Sequence, residues 1–253
     1  MLHELQKASM WKRISAFIFD FIMLAIIAVG IALLCSALFG YDTYTAKMDK
    51  IYAQYEEKYG ISFDITEDEY NKLTDTEKDK YKEAEEAFNE DKDLAYTYTM
   101  VINLTLTIMS ISVFTAYIIC DFVVPLIFKN GQTLGKKIFG LGVMRTNHTR
   151  INSISLFIRT ILGKCTIETM VPALIVIMIF FSQIGIVGIV ILGLLLILEL
   201  AVICSTSTRS TVHDLLAMTV VVDMQSQMIF ETEDELLEYK KKLHAENAAK
   251  ADY

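Results

Sequence analysis

The chain has 253 residues, of which 53% are hydrophobic, with a positive mean hydropathy and a formal net charge of −8. Several runs nearly free of charge exclude an ordinary soluble domain and point to an integral membrane protein. The acids gather in one segment and the tail while the bases occupy other loops, so charge is informative only by segment, and no nucleic-acid partner is expected.

Residues 14–39 form the first apolar run, long enough at about 1.5 Å per residue to cross a bilayer core. Asp20 falls inside it, where an ionisable group costs roughly 2.5 to 3.5 kcal/mol and marks a functional candidate by default. Trp11 and Lys12 read as interface anchors. The run exceeds the roughly 7 to 15 apolar residues of a signal peptide and no small-x-small site follows, so it is expected to persist as an anchor.

Residues 41–95 are polar, with more acids than lysines and no Arg. Thr66 with Glu69, and Thr74 with Glu77, fit capping boxes that open helices. Ala84, Ala87, Phe88 and Leu94 continue a helical spacing, and Tyr44, Tyr52, Tyr55, Tyr59, Tyr70 and Tyr81 are placed to line a small helical hairpin. So many charges leave little apolar area to bury, which favours a solvated helical excursion over a partner-collecting surface.

The second span covers about 98–128 and exceeds the roughly 20 residues required, so tilt or extension is expected, with Pro125 near its end. Between 129 and 165 stand seven bases (Lys129, Lys136, Lys137, Arg145, Arg150, Arg159, Lys164) and no acid. The positive-inside rule puts this loop in the cytoplasm, and Lys7, Lys12 and Arg13 do the same for the N-terminus. An even number of spans returns the C-terminus to the cytoplasm. A multi-pass cell-membrane protein with residues 41–95 outside is therefore expected.

Gly131, Gln132, Thr133, Gly135 and Lys136 open the most motif-like string. Its glycine spacing is one residue short of a phosphate-binding loop and Lys137 replaces the required Ser or Thr, which excludes nucleotide binding. A mechanical role remains: a sharp exit from the span and close backbone approach. Residues 141–146 then read as a strand, with 218–223, rich in β-branched residues, as its mate. Residues 153–164 set Ile154, Phe157, Ile158, Ile161 and Leu162 on one side, which suits an amphipathic interfacial helix with Arg159 and Lys164 reaching anionic inner-leaflet headgroups.

The third and fourth spans, 167–181 and 184–204, are parted by Ser182 and Gln183. A combined length near two crossings favours a helical hairpin over one bent segment. Residues 231–242 form a charged helix in the tail. The resulting divisions are 1–40, 41–95, 96–128, 129–165, 166–205, 206–227 and 228–253. The fold class is an all-α membrane protein: a four-helix transmembrane bundle with a small cytoplasmic β-hairpin and an amphipathic interfacial helix.

Cys35, Cys120, Cys165 and Cys204 lie in or beside spans without a CxxC pattern and read as structural. His3, His148, His213 and His244 lack metal-ligand spacing, and adjacent His213 and Asp214 would not face one another on a helix. With no nucleophile motif either, neither enzymatic activity nor a cofactor or metal is expected.

Three blocks nevertheless stand out in order: Arg13-Ile-Ser-Ala-Phe-Ile-Phe-Asp20, Gly131-Gln-Thr-Leu-Gly-Lys-Lys137, and Arg209-Ser-Thr-Val-His-Asp214 with the following Leu-Leu-Ala-Met-Thr-Val-Val-Val222. Together they resemble the signatures of the RDD family of bacterial membrane proteins over about residues 8–223, with 41–95 as an insertion and the tail as an addition. The resemblance makes Arg13, Asp20 and Asp214 the name-giving residues. It implies transport of an undefined ligand, with sodium/proton exchange proposed for some members.

Arg13 and Asp20 are seven residues apart, so they share a helix face but stand about 10 Å apart along the axis. A third group must link them, and Asp214 is the natural partner of Arg13. Asp121, Glu168 and Glu199 fall at similar depth in the other spans, giving with Asp20 one carboxylate per span. The layer reads either as an Na+ or H+ exchange site or as a polar lock with Arg13, Arg159, Lys164 and the backbone. The bases are sufficient to neutralise most of the acids, which favours the lock. No aqueous route from the outer face is evident, since Asn103, Thr105, Thr107 and Ser110 suit helix packing equally well. The alternative function is a non-catalytic scaffold or assembly factor that recruits partners through residues 41–95 or the tail. A homo-oligomer or membrane partner fits either reading, because four spans make a thin pathway.

Overall fold

A computed structural model of the chain describes residues 8–128, 130–180 and 182–251. His3, Lys7, Lys129 and the expected last residue of the third span, Phe181, lie outside the described residues. Two compact units emerge, one built from residues up to Leu24 with those from Tyr117 onward, the other from Ala25–Ala116.

Four helices reach bilayer length: α1 (Met10–Phe39), α5 (Lys92–Ile127), α7 (Ser153–Phe180) and α8 (Gly185–Ser205). Even α8, with 21 residues, rises roughly 32 Å, enough for a hydrocarbon core of about 30 Å. Their outward faces are apolar, with Phe17, Leu33, Leu38, Leu174, Ile186 and Leu196 all exposed. In water such a surface would be a large aggregation patch; in lipid it is the solvated face.

Within the Ala25–Ala116 unit, α2 (Tyr41–Tyr59) begins and ends at left-handed Gly40 and Gly60. Thr66 opens α3 (Glu67–Asn71) and Thr74 opens α4 (Asp75–Glu90), each with a complete capping box. The segment has its own aromatic core. The Tyr52, Tyr55 and Phe63 rings each lie 5.2–5.4 Å from Phe88, and the Tyr55 hydroxyl donates to the Ala87 carbonyl at 3.1 Å.

The other unit carries all three motif blocks. The helix α5 widens to a π register over Ile118–Val123, where Asp121 is buried, just before Pro125. A short helix α6 (Leu134–Ile138) leads into β1 (Leu141–Arg145). After α8, α9 (Val212–Leu216) leads into β2 (Thr219–Asp223). The strands pair antiparallel with Val143 opposite Val221 and Met144 opposite Val220. Alternation sends Leu141, Val143 and Val221 to a core with Ala16 and Leu156, and Met144, Val220 and Val222 to the other face. Both faces are therefore buried.

The residues divided in the sequence between an interfacial helix and a third span are continuous in α7, capped by Asn152, whose Oδ1 accepts from Ser155 N at 2.7 Å. Its register is π from Ile158 to Met170, with the Thr166 and Thr169 hydroxyls donating to carbonyls five residues back. That i, i+5 periodicity puts Arg159 and Lys164 on one inward face, so Arg159 is buried in the protein and not spread along an interfacial surface. The spans α7 and α8 form a hairpin, closed by Ser182 at φ 57° and Gly185 at φ 44°. The tail helix α10 (Glu233–Ala251) docks beside the sheet, where Tyr239 packs on Phe230 and Asn147 donates to Glu233 at 2.9 Å.

Candidate functional site

Asp20 and the glycine string meet at one joint. Thr133 caps α6 through its own hydroxyl, which accepts from Lys136 N, and donates to Asp20 Oδ2 at 2.5 Å. Asp20 Oδ1 accepts from Gly135 N at 2.7 Å. The carboxylate thus binds the start of a short helix with charge-assisted bonds that its desolvation requires. Gly135 is obligatory there, because a Cβ would stand 2.3 Å from the Ala16 carbonyl oxygen. Gly131, at φ +60°, makes the preceding turn, and Gln132 donates from Nε2 to the Leu141 carbonyl at 2.7 Å. Five consecutive-looking motif residues therefore perform separate tasks in one backbone clamp.

Asp214 is fully buried between two arginines. Arg159 Nε donates to Oδ1 at 2.9 Å, and Arg13 Nη2 lies 3.5 Å from Oδ2. Arg13 also donates through Nη1 to the Arg209 carbonyl at 2.6 Å, with Arg209 in the left-handed region at φ 51°. Asp214 itself accepts from Thr211 in a capping box that starts α9. Burial alone pushes the Asp214 carboxyl up, but Arg159 first, with Arg13 and the neighbouring His213, outweighs it and holds the group well below the usual carboxylate range.

The remaining acids make their own direct bonds. Asp121 pairs with Lys164 at 2.5 Å, and its carbonyl accepts from Thr160. Glu168 accepts from the His213 backbone N–H at 2.8 Å and from His213 Nδ1 at 2.7 Å. Glu199 accepts only from Val212 N, at 3.4 Å, and has no cationic side-chain partner among the described residues. The carboxylates of Asp20, Asp121, Glu168 and Glu199 therefore occupy separate bonding environments.

His213 is the residue that sequence reasoning missed. Far from being uninvolved, it lies 3.8 Å from Asp214 Oδ1 and bridges Glu168 to Arg159, whose Nη2 is 3.1 Å from His213 Nε2. Arginine can only donate, so Nε2 accepts and Nδ1–H donates to Glu168, which defines the neutral tautomer. Burial and Arg159 lower its pKa, against the opposing pull of Asp214 and Glu168. Gly163 makes room for it, since a Cβ there would meet His213 Cβ at 2.6 Å. Adjacency to Asp214 concealed the role; a histidine inside the third motif block was the available signal.

Two cavities flank the network. One, about 330 Å3, is lined by Arg13, Asp20, Lys136, Arg159, Lys164 and Arg209, with Phe17 and Ile203 on its apolar wall. The second, about 370 Å3, holds Glu168 and Glu199 among leucines and Pro172. Removal from water pushes the Lys136 ammonium down to about 7, reinforced by Arg159 and Lys164 and opposed by Asp121 and Asp20. Among the described residues there is no cluster of three or more His, Cys, Asp or Glu able to hold a metal ion.

Four bilayer-length helices, three of which contribute to a buried ion-pair network, define an integral membrane protein. The RDD family model matches residues 7–218, and the chain belongs to the RDD family. No curated protein and no solved structure matches it.

Proposed function

We propose that this RDD protein is a non-enzymatic carrier that exchanges a proton for a monovalent cation such as Na+. The observation that carries the reading is Glu199, a span carboxylate without a cationic partner among the described residues, facing the same cavity of about 370 Å3 as Glu168. A carboxylate left free of a fixed counter-charge can take up H+ or Na+ as access changes, whereas one locked to Arg or Lys cannot do so without breaking the pair. Beside it, Glu168 accepts a hydrogen bond from His213 Nδ1 at 2.7 Å.

The basic loop and N-terminal bases orient the motif-bearing ends of the spans toward the cytoplasm of a cell membrane, with both termini on that side. A homo-oligomer would widen the pathway that four spans provide.

The competing reading is a membrane scaffold, favoured by the engagement of Asp20, Asp121, Glu168 and Asp214 in fixed bonds. Vesicles with an imposed ΔpH separate the two. The carrier dissipates the gradient on addition of Na+ or K+, and Glu199→Gln abolishes this while the thermal midpoint is maintained. Wild-type vesicles that hold their gradient under every cation sink the carrier reading in favour of the scaffold.

A further inference from the structure

Apart from any exchange at Glu199, we propose that the cavity lined by Arg13, Lys136, Arg159, Lys164 and Arg209 binds a phosphate-bearing anion. The argument is one of unmatched charge. Arg13 and Arg159 share Asp214, and Lys164 is held by Asp121. The cavity's own carboxylate, Asp20, spends Oδ2 on the Thr133 hydroxyl and Oδ1 on the Gly135 N–H. Among the described residues Lys136 and Arg209 have no carboxylate partner, and Lys136 Nζ donates only to Thr133 Oγ1, at 3.5 Å.

Cations drawn to one concavity without matching acids repel one another; burial first, and then Arg159 and Lys164, push the Lys136 ammonium pKa down. A bound anion relieves that repulsion and supplies the missing acceptors. Phosphate suits the donor set, since guanidinium groups present paired N–H donors to its oxygens and lysine adds a mobile point charge. A volume of about 330 Å3 lies at the lower end of small-ligand pockets. Met10, Ile14 and Phe17 line the same space, and they are spaced along α1 so that an apolar portion of the ligand can lie against the span. Basic pockets between membrane helices hold anionic headgroups by this combination.

The test uses the full chain. In nanodiscs of phosphatidylcholine doped with phosphatidylglycerol, native mass spectrometry reads which lipid stays bound, and calorimetry of the detergent-solubilised protein reads inorganic phosphate. Retention of phosphatidylglycerol over phosphatidylcholine identifies a headgroup, and heat on adding phosphate identifies a free anion; either supports the site. Lys136→Gln and Arg209→Gln orphan no carboxylate, so they leave the fold intact and weaken binding about tenfold each. Exposed Lys137, which packs on the Phe128 ring and does not line the cavity, is the control: Lys137→Gln changes binding by less than about twofold because its charge is screened. Equal retention of both lipids with no phosphate heat overturns the proposal. So does an equal loss in the Lys136 and Lys137 variants.

Discussion

Gly135 donates its backbone N–H to Asp20 at 2.7 Å, one of the two bonds by which the glycine motif holds the first span. The bond explains why an acid stands in an apolar run and why a glycine stands two residues after Thr133. Gly135→Ala forces a Cβ toward the Ala16 carbonyl, which cannot yield without moving α1. Destabilisation of about 1–3 kcal/mol is expected from such overpacking. Asp20→Ala, which removes the acceptor of two bonds, falls in a similar range. Chemical denaturation in detergent measures both, and an unchanged Gly135→Ala midpoint contradicts the close approach.

Asp214 counterbalances Arg13 and Arg159 from a fully buried position. Asp214→Asn leaves two guanidinium groups without their charge partner and should cost about 3–5 kcal/mol. Replacing Arg159 by Met together with Asp214 by Leu should recover part of that loss, since an apolar pair carries no uncompensated charge. A double-mutant cycle on unfolding free energy reads the coupling, and additive losses would remove the pair from the account.

Stability should fall as pH drops from 7 toward 5. His213 is held neutral in the fold, its pKa lowered by burial and by Arg159, while Glu168 and Asp214 oppose the shift. The unfolded chain therefore takes up a proton first, near its ordinary pKa of about 6.5, and pulls the equilibrium toward unfolding. His148, also lowered by burial, adds to the slope. Asp214 contributes further down: its depressed pKa stabilises the fold above the ordinary carboxylate range, and that contribution is lost as pH falls below it. His213→Gln should flatten the segment between pH 7 and 5 in a series of thermal midpoints; an identical slope in the variant would exclude His213 as its source.

Phosphatidylglycerol retention in the cationic cavity should weaken as pH rises through about 7, where Lys136 loses its proton. The facing groups are Arg159, Lys164, Asp20 and Asp121, with His213 neutral in this range. A phosphodiester keeps its single charge throughout, so the titration belongs to the protein. Lys136→Arg remains charged and should bind without this dependence. Native mass spectrometry across the pH series checks it, and a parallel decline in the Arg variant would assign the titration elsewhere.

By contrast, Lys12→Ala should change stability by less than about 1 kcal/mol, although Lys12 reaches Asp223 at 2.6 Å. The pair is partly exposed, so water and salt replace most of what it supplies. Thermal unfolding in low and high salt measures this, and a loss of several kcal/mol would show that the pair is more shielded than its geometry allows.

Much of this architecture was legible in the residues because its causes are local. Apolar runs of bilayer length specify spans, Thr66 with Glu69 and Thr74 with Glu77 specify helix starts, and β-branched 219–222 specifies a strand. The three motif blocks likewise pointed to the family that the model match establishes. Depth along a helix follows from counting, so the acids could be ranked by level. What could not be counted was the facing of side chains from elements more than a hundred residues apart.

Tertiary structure alone decided that Asp20 binds a helix start, that Arg159 turns inward along a π register, and that His213 joins Glu168 to Arg159. It also decided where positive charge is left unmatched, at Lys136 and Arg209. Sequence determines which charges exist and roughly how deep they lie. Pairing depends on distances of about 3 Å, which only the packed backbone sets, because a hydrogen-bonded ion pair needs both close approach and the right direction.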